Sequence, residues 1–253
     1  MQFTSETSSN GVIERRFTLG EITGVLWTPA SGAAGAPLLL SGHSGGMHKK
    51  APGLVAGALH GVTAHGFTVA AIDAPGHGDR PRNVEDQRWV EAIHSARTEG
   101  KPIAPIVAEY NMSLAERAVP EWQATLDALQ ALPEIGDEAP IGYGGMNLGV
   151  VTGVMWAAVE PRIAALGFGG VFVNEALIEA ARKVTTPVEC RIPWDEKEFD
   201  NASGVALFDA FASKEKALHA YTGRRTPEYE RDSSARFFAH HLGRAADAGF
   251  ELT

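Results

Sequence analysis

The sequence predicts a mostly parallel α/β sheet of about eight strands with helices on both faces. Three observations carry that prediction. Short apolar runs alternate with segments of helical periodicity, Gly- and Pro-containing turns separate them, and 253 residues suffice for one α/β domain with a substantial core. Two extended segments open the chain, Val12–Leu19 and residues 23–27, split by Gly20 and closed by Pro29 as in an antiparallel edge pair. After the Gly- and Ala-rich loop 31–37 comes the apolar strand Leu38-Leu39-Leu40. Residues 54–65 read as a helix that Gly66 stops, and 67–72 as a continuous apolar strand ending at Asp73. Residues 81–114, mixed in charge and weak in periodicity, are too long for an ordinary connection and are expected to form a small lid or insertion. Trp122, Leu126 and Leu129 recur at helical spacing before a buried strand over 139–144 and an apolar helix over 150–158, which Glu160-Pro161 ends. Strands over 164–168, 188–192 and 217–221 follow. A helix over 201–212, capped by Asp200 or Asn201, separates the last two, and a final helix spans 231–242.

Composition narrows the partners. The 22 basic and 31 acidic residues give a formal charge of −9, which argues against nucleic acid and anionic membrane. No apolar run approaches a membrane span, and the first ten residues lack a basic and then apolar leader pattern, so a cytoplasmic protein is expected. The single cysteine, Cys190, excludes an internal disulfide framework and suits a reducing compartment. There is no G-x-x-x-x-G-K-[ST], no H-E-x-x-H and no cysteine pair, so neither a cofactor nor a metal is expected. The partner expected is a small-molecule substrate, and the reading leaves a homodimer open.

The chemistry turns on Gly145-Met146-Asn147-Leu148-Gly149. This is the spacing of a catalytic serine turn, G-x-S-x-G, with asparagine in the serine position. Asparagine tolerates positive φ, so the tight strand-to-helix turn is expected to form. A neutral carboxamide donates and accepts hydrogen bonds but offers no ionisable nucleophile. Gly142-Tyr143-Gly144-Gly145-Met146-Asn147 also sits where a dinucleotide fingerprint would, but asparagine fills its third glycine position.

Together with Ser41-Gly42-His43-Ser44-Gly45-Gly46, Asp73-Ala74-Pro75-Gly76-His77-Gly78 and Trp194-Asp195, this turn makes the chain resemble the α/β-hydrolase superfamily. Within it the chain is similar to small bacterial esterases like dienelactone hydrolase, over nearly its whole length. The resemblance implies a nucleophile position at Asn147 and an orienting acid at Asp195, with Glu196 or Asp200 as substitutes. It also implies a histidine in the loop after the last strand. That loop reads Tyr221-Thr222-Gly223-Arg224-Arg225-Thr226-Pro227 and contains none; Arg224 or Arg225 stands nearest. His77 resembles a loop-bracing histidine, and His219, His240 and His241 read as structural or solvated.

An acyl-enzyme is therefore not expected. The backbone N–H groups of Ser44, Gly45 and Leu148 would form an oxyanion hole, Asn147 a neutral donor, and Arg224 or Arg225 a fixed cation. Asp195, His43 and His48 are the candidate proton carriers. Tyr143 and Trp194, with Tyr110, Trp156 and Phe168, are candidates to line an apolar pocket, though aromatics at strand ends are commonly core. The site expected suits cyclisation, isomerisation, decarboxylation or carbon–carbon cleavage of a carbonyl compound. The alternatives are a pseudo-hydrolase that only binds a ligand and an esterase inactivated at position 147.

Overall fold

Alternate side chains of the strand Thr68–Ile72 enter two different cores, and that division organises the molecule. Val69 and Ala71 pack into one apolar cluster, Ala70 and Ile72 into another. Such a strand is covered on both faces, which is why it reads as an unbroken apolar run.

The computed structural model describes residues 1–223 and 227–243, the side chains of 227–231 apart. In chain order its elements are β1 (Gln2–Ser9), β2 (Val12–Leu19), β3 (Ile22–Pro29), β4 (Leu38–Gly42), α1 (Pro52–His65), β5 (Thr68–Ile72), α2 (Val84–Thr98), α3 (Ala104–Gln130), β6 (Ile141–Gly145), α4 (Leu148–Ala157), β7 (Ile163–Phe168), α5 (Glu175–Ala181), β8 (Val188–Pro193), α6 (Asn201–Ala210), β9 (Lys216–Tyr221) and α7 (Pro227–His241). The strands form a single nine-stranded sheet of order β1-β2-β3-β5-β4-β6-β7-β8-β9. The pairs β1/β2, β2/β3 and β3/β5 are antiparallel and the remainder parallel.

Helices α1 and α7 pack together on one face, over Val25, Trp27, Val69 and Ala165. On the other face α4 packs between α3 and α5 over Leu38, Leu40, Ile141, Tyr143 and Leu166. Helix ends follow the expected chemistry. Pro52 opens α1, and Gly66, at φ 66°, closes it in the left-handed conformation; the Asp200 carboxylate accepts the Ser203 N–H at 3.0 Å and caps α6.

Three elements depart from the sequence expectation. The ninth strand is β1, a Ser/Thr/Glu-rich edge strand that is almost wholly exposed; pairing with β2 holds it, with a bulge between Phe3 and Ser5. Residues 81–114 are not irregular: they contain α2 and the start of the 27-residue α3. Asn83 caps α2, accepting the Asp86 N–H at 2.7 Å, and the helix packs through Trp89, Val90 and Ile93 onto Ala74, Tyr110, Leu114 and Leu148. The short helix α5, capped by Asn174, was also absent from the sequence pattern. Among the described residues no helix is long and apolar enough to cross a membrane.

Candidate active site

The turn between β6 and α4 holds Asn147 at φ 49°, ψ −105°. This is neither helix nor strand, and it is not the left-handed helical well that asparagine tolerates, so the residue carries strain of about 1–3 kcal/mol. The surroundings impose it. A Cβ on Gly145 would lie 2.7 Å from the Gly149 backbone, and one on Gly149 would lie 2.6 Å from the Gly42 carbonyl oxygen. Both glycines thus permit the strand, the helix and the end of β4 to close on one another. The Asn147 N–H donates to the Gly170 carbonyl at 2.8 Å and the Gly169 N–H to the Gly145 carbonyl at 3.0 Å, which fastens the turn to the exit of β7. From below, the fully buried Tyr143 donates its hydroxyl to the Gly149 carbonyl at 3.0 Å. Burial pushes that hydroxyl's pKa well up. Tyr143 therefore braces the turn and does not line a pocket, contrary to the sequence expectation. Trp156, Phe168 and Tyr110 are core residues as well.

Sequence reasoning missed a partner. Asn111, on α3 and buried, donates its Nδ2 to Asn147 Oδ1 at 2.8 Å. This fixes the Asn147 carboxamide with its oxygen occupied and its Nδ2, among the described residues, free to donate. Asn111 Oδ1 lies 3.7 Å from where a Gly45 Cβ would be, so the same side chain reaches the loop after β4. A lone asparagine in Tyr110-Asn111-Met112 gives no motif; its signal is a polar residue on the buried stripe of a helix.

The loop after β4 supplies the facing wall. Ser44 Oγ donates weakly to the Met146 carbonyl at 3.4 Å, and Gly45 and His48 are exposed. Among the described residues the Leu148 N–H, at the start of α4, meets no acceptor within the chain. His43 differs from its neighbours. It is buried, its Nδ1 faces the Ser44 carbonyl at 2.8 Å, and its Nε2 accepts the Ala74 N–H at 3.0 Å. Burial lowers its pKa to about 4. Both ring nitrogens are engaged with backbone, so His43 ties the loop to the Asp73 turn and has no free lone pair for proton transfer. His48 Nδ1 accepts the Lys50 N–H at 3.2 Å, leaving its other ring nitrogen available.

Asp195, exposed after β8, accepts the Gly223 N–H at 2.7 Å from the loop after β9. The neighbouring Trp194 donates its N–H to the Tyr221 carbonyl at 2.7 Å and leaves its indole half exposed. The acid position and the final loop are thus joined, although Arg224 and Arg225 lie outside the described residues. Cys190 is buried, which pushes its thiol up to about 12 and fits an inert core role. His77 is buried with Nδ1 against the Pro75 carbonyl at 2.9 Å, and His219 pairs with the buried Glu189 at 3.1 Å; both are structural. Behind the turn, Val150, Phe168, Gly170, Ile192, Phe199 and Leu207 enclose an apolar cavity of about 20 Å³, the size of one water. A larger cavity of about 350 Å³, between Asn10, Pro29 and Thr63, is lined by none of these groups.

No protein-family model and no curated protein matches the chain. Among solved structures, it is similar to a cold-adapted esterase from an Arctic intertidal metagenomic library, at 27% identity and a TM-score of 0.74, covering 96% of this chain and 100% of that one. It is also similar in fold to the dienelactone hydrolase of Anabaena variabilis, at 17% identity, a TM-score of 0.63 and coverage of 96% and 100%. The acetyl xylan esterase of a Paenibacillus species aligns at 14% identity and a TM-score of 0.65, covering 95% of this chain and 88% of that one. The architecture of the chain is the α/β-hydrolase fold of these enzymes.

Proposed function

We propose that this α/β-hydrolase-fold chain is an enzyme acting on a small carbonyl compound, by stabilising an oxyanion or enolate without forming a serine acyl-enzyme. The observation that carries the reading is the Asn147 carboxamide. It stands at the strained summit of the turn with its oxygen taken by Asn111 and its Nδ2 free, next to the free Leu148 N–H. An amide oriented in this way is a neutral donor that adds to the oxyanion hole without competing as a base. Similarity to esterases supports an enzyme of this fold.

In this reading the substrate carbonyl is polarised by the N–H groups of Leu148 and of Ser44 or Gly45, with Asn147 as the side-chain donor. Asp195 holds the final loop through Gly223, and Arg224 or Arg225 offers a planar cation for a carboxylate or enolate. His48 or Asp195 carries the proton; His43 is left out because both its nitrogens are engaged. Trp194 offers an apolar surface to the substrate.

A pseudo-hydrolase that binds its ligand unchanged is the second reading. It is favoured by the absence, among the described residues, of any titratable side chain hydrogen-bonded to Asn147. Incubation with a panel of aromatic and β-keto carbonyl compounds, followed by mass spectrometry of the products, separates the two. A mass change that falls about 100-fold in Asn147→Ala supports the enzyme. A compound retained by the protein but unchanged in mass favours the binding reading. Labelling by a serine-directed fluorophosphonate would overturn the non-covalent mechanism.

A further inference from the structure

The outer surface of the α1/α7 layer carries a second cluster of chemically capable side chains. His60 and His65, both on α1, meet Asp232 on α7, and one ligand atom from each lies within 4.8 Å of the other two. Among the described residues, the Nε2 atoms of both histidines are buried and meet no hydrogen-bond partner. Two orphaned imidazole nitrogens in one place are unusual, since buried polar atoms are nearly always paired. A simple ion pair does not account for them. His60 Nε2 approaches Asp232 Oδ1 at 3.7 Å, too far for a hydrogen bond, and such a pair would leave His65 without a role.

We propose that His60, His65 and Asp232 form a binding site for one divalent transition-metal cation of the zinc type, which clamps α1 to α7. Donors bound to such a cation at about 2.1 Å in tetrahedral geometry stand roughly 3.4 Å apart. The His60–Asp232 separation is close to that, and the half-exposed side chains need only rotate to bring in the third donor. Aromatic contacts keep the two imidazoles side by side. His65 stacks on Phe67 with centroids 5.6 Å apart at 23°, and it meets His60 edge-on at 5.6 Å and 69°. Arg236, one turn along α7, pairs with Asp232 Oδ2 and leaves Oδ1 turned towards His60. Two imidazoles and one carboxylate select zinc, nickel, cobalt or copper over magnesium and calcium, and leave a fourth position to water. The clamp acts on the helix that follows the β9 loop, whose Gly223 holds Asp195.

The test is titration of tag-free, chelator-treated full-length protein with zinc chloride in a calorimeter, with magnesium chloride as the comparison. One zinc per chain is expected, with affinity lowered at least about tenfold in both His65→Ala and Asp232→Asn and unchanged in His94→Ala. Zinc at a hundredfold excess over the parent's Kd should raise the Tm by about 5 °C in the parent and by about half of that or less in the two variants. No zinc binding by the parent, or variants that bind zinc as tightly as the parent, would overturn the proposal. The two substitutions lie on different helices, and far-ultraviolet circular dichroism confirms that each variant is folded.

Discussion

Two turns stand at the same end of the sheet, one after β5 and one after β6, and they treat their polar groups in opposite ways. In the turn after β5, the fully buried Asp73 carboxylate accepts from the Lys49 backbone N–H at 2.8 Å, the Lys49 ammonium, the Thr23 hydroxyl at 2.8 Å and the Asp79 N–H at 3.1 Å. Burial alone would raise its pKa, but these donors hold it below the usual carboxylate value. Arg80 donates to the Asp73 carbonyl at 3.1 Å and forms a two-pronged pair with Glu121 on α3, fixing the turn from outside. In the turn after β6 the central residue is strained, the following N–H is unpaired, and one amide hydrogen bond from Asn111 steadies the side chain. Both segments stand out as motifs. The polar groups left available by the fold, more than the motif itself, distinguish a site from a brace.

The comparison breaks most visibly if the brace is cut. Asp73→Ala leaves the buried Lys49 ammonium with the exposed Asp79, at 2.6 Å, as its one charged partner among the described residues. A loss of about 3 kcal/mol or more is expected, read from urea unfolding; a loss under 1 kcal/mol would mean that the turn does not depend on its carboxylate.

A comparable effect is expected from acid. The His43 pKa is lowered to about 4 in the folded protein, from the usual 6.5. The unfolded chain then binds the extra proton between those values. The stabilisation is complete above about pH 6.5 and is lost as pH falls towards 4, amounting to about 3 kcal/mol. His77, also lowered mainly by burial, acts in the same direction. Urea melts from pH 7 to 4.5 should show a shallower slope for His43→Gln than for the parent. Identical slopes would assign the acid sensitivity elsewhere.

The strained turn gives smaller effects. Asn147→Gly and Asn147→Ala both lose the Asn111 contact, so their difference isolates the backbone. Glycine is expected to be the more stable by about 1–2 kcal/mol, the reverse of ordinary helical preference. Equal stability would remove strain from the description of this turn. Smallest of all, Asn111→Ala should cost about 1 kcal/mol in stability. If turnover is established, it should raise KM or lower kcat beyond what that loss explains, because the Asn147 amide is then free to rotate.

Much of the frame was legible because it follows from periodicity. The apolar runs at Leu38–Leu40 and at 67–72, the stop at Gly66 and the cap at Asp200 are local signals with local causes. The α2 helix was not, since Val84, Trp89, Val90 and Ile93 give a thin apolar stripe among charges. Nor was β1, whose only large apolar side chain is Phe3 and whose order comes from pairing with β2. At the site the elbow could be read from its glycine spacing; Asp195 was named only through the family resemblance, and it accepts the Gly223 N–H from the loop after β9. The orientation of Asn147 could not, because it depends on a side chain 36 residues away that belongs to no motif. His43 misled for a related reason. Sequence places it beside the site, and only the contact with Ala74 reveals that its ring faces inward.

The pairing pattern also bears on the order in which the chain assembles. β1, β2 and β3 are joined by tight turns, with Ser9 opposite Val12 and Leu19 opposite Ile22, so they can zip within microseconds as they form. The turn at Asn147 needs Gly42, Asn111 and Gly170 already gathered from separate elements. Its contacts span long stretches of chain and close late. The β1–β3 hairpins are thus expected to pair before the Asn147 turn is complete, which must wait for β7 and its exit at Gly170.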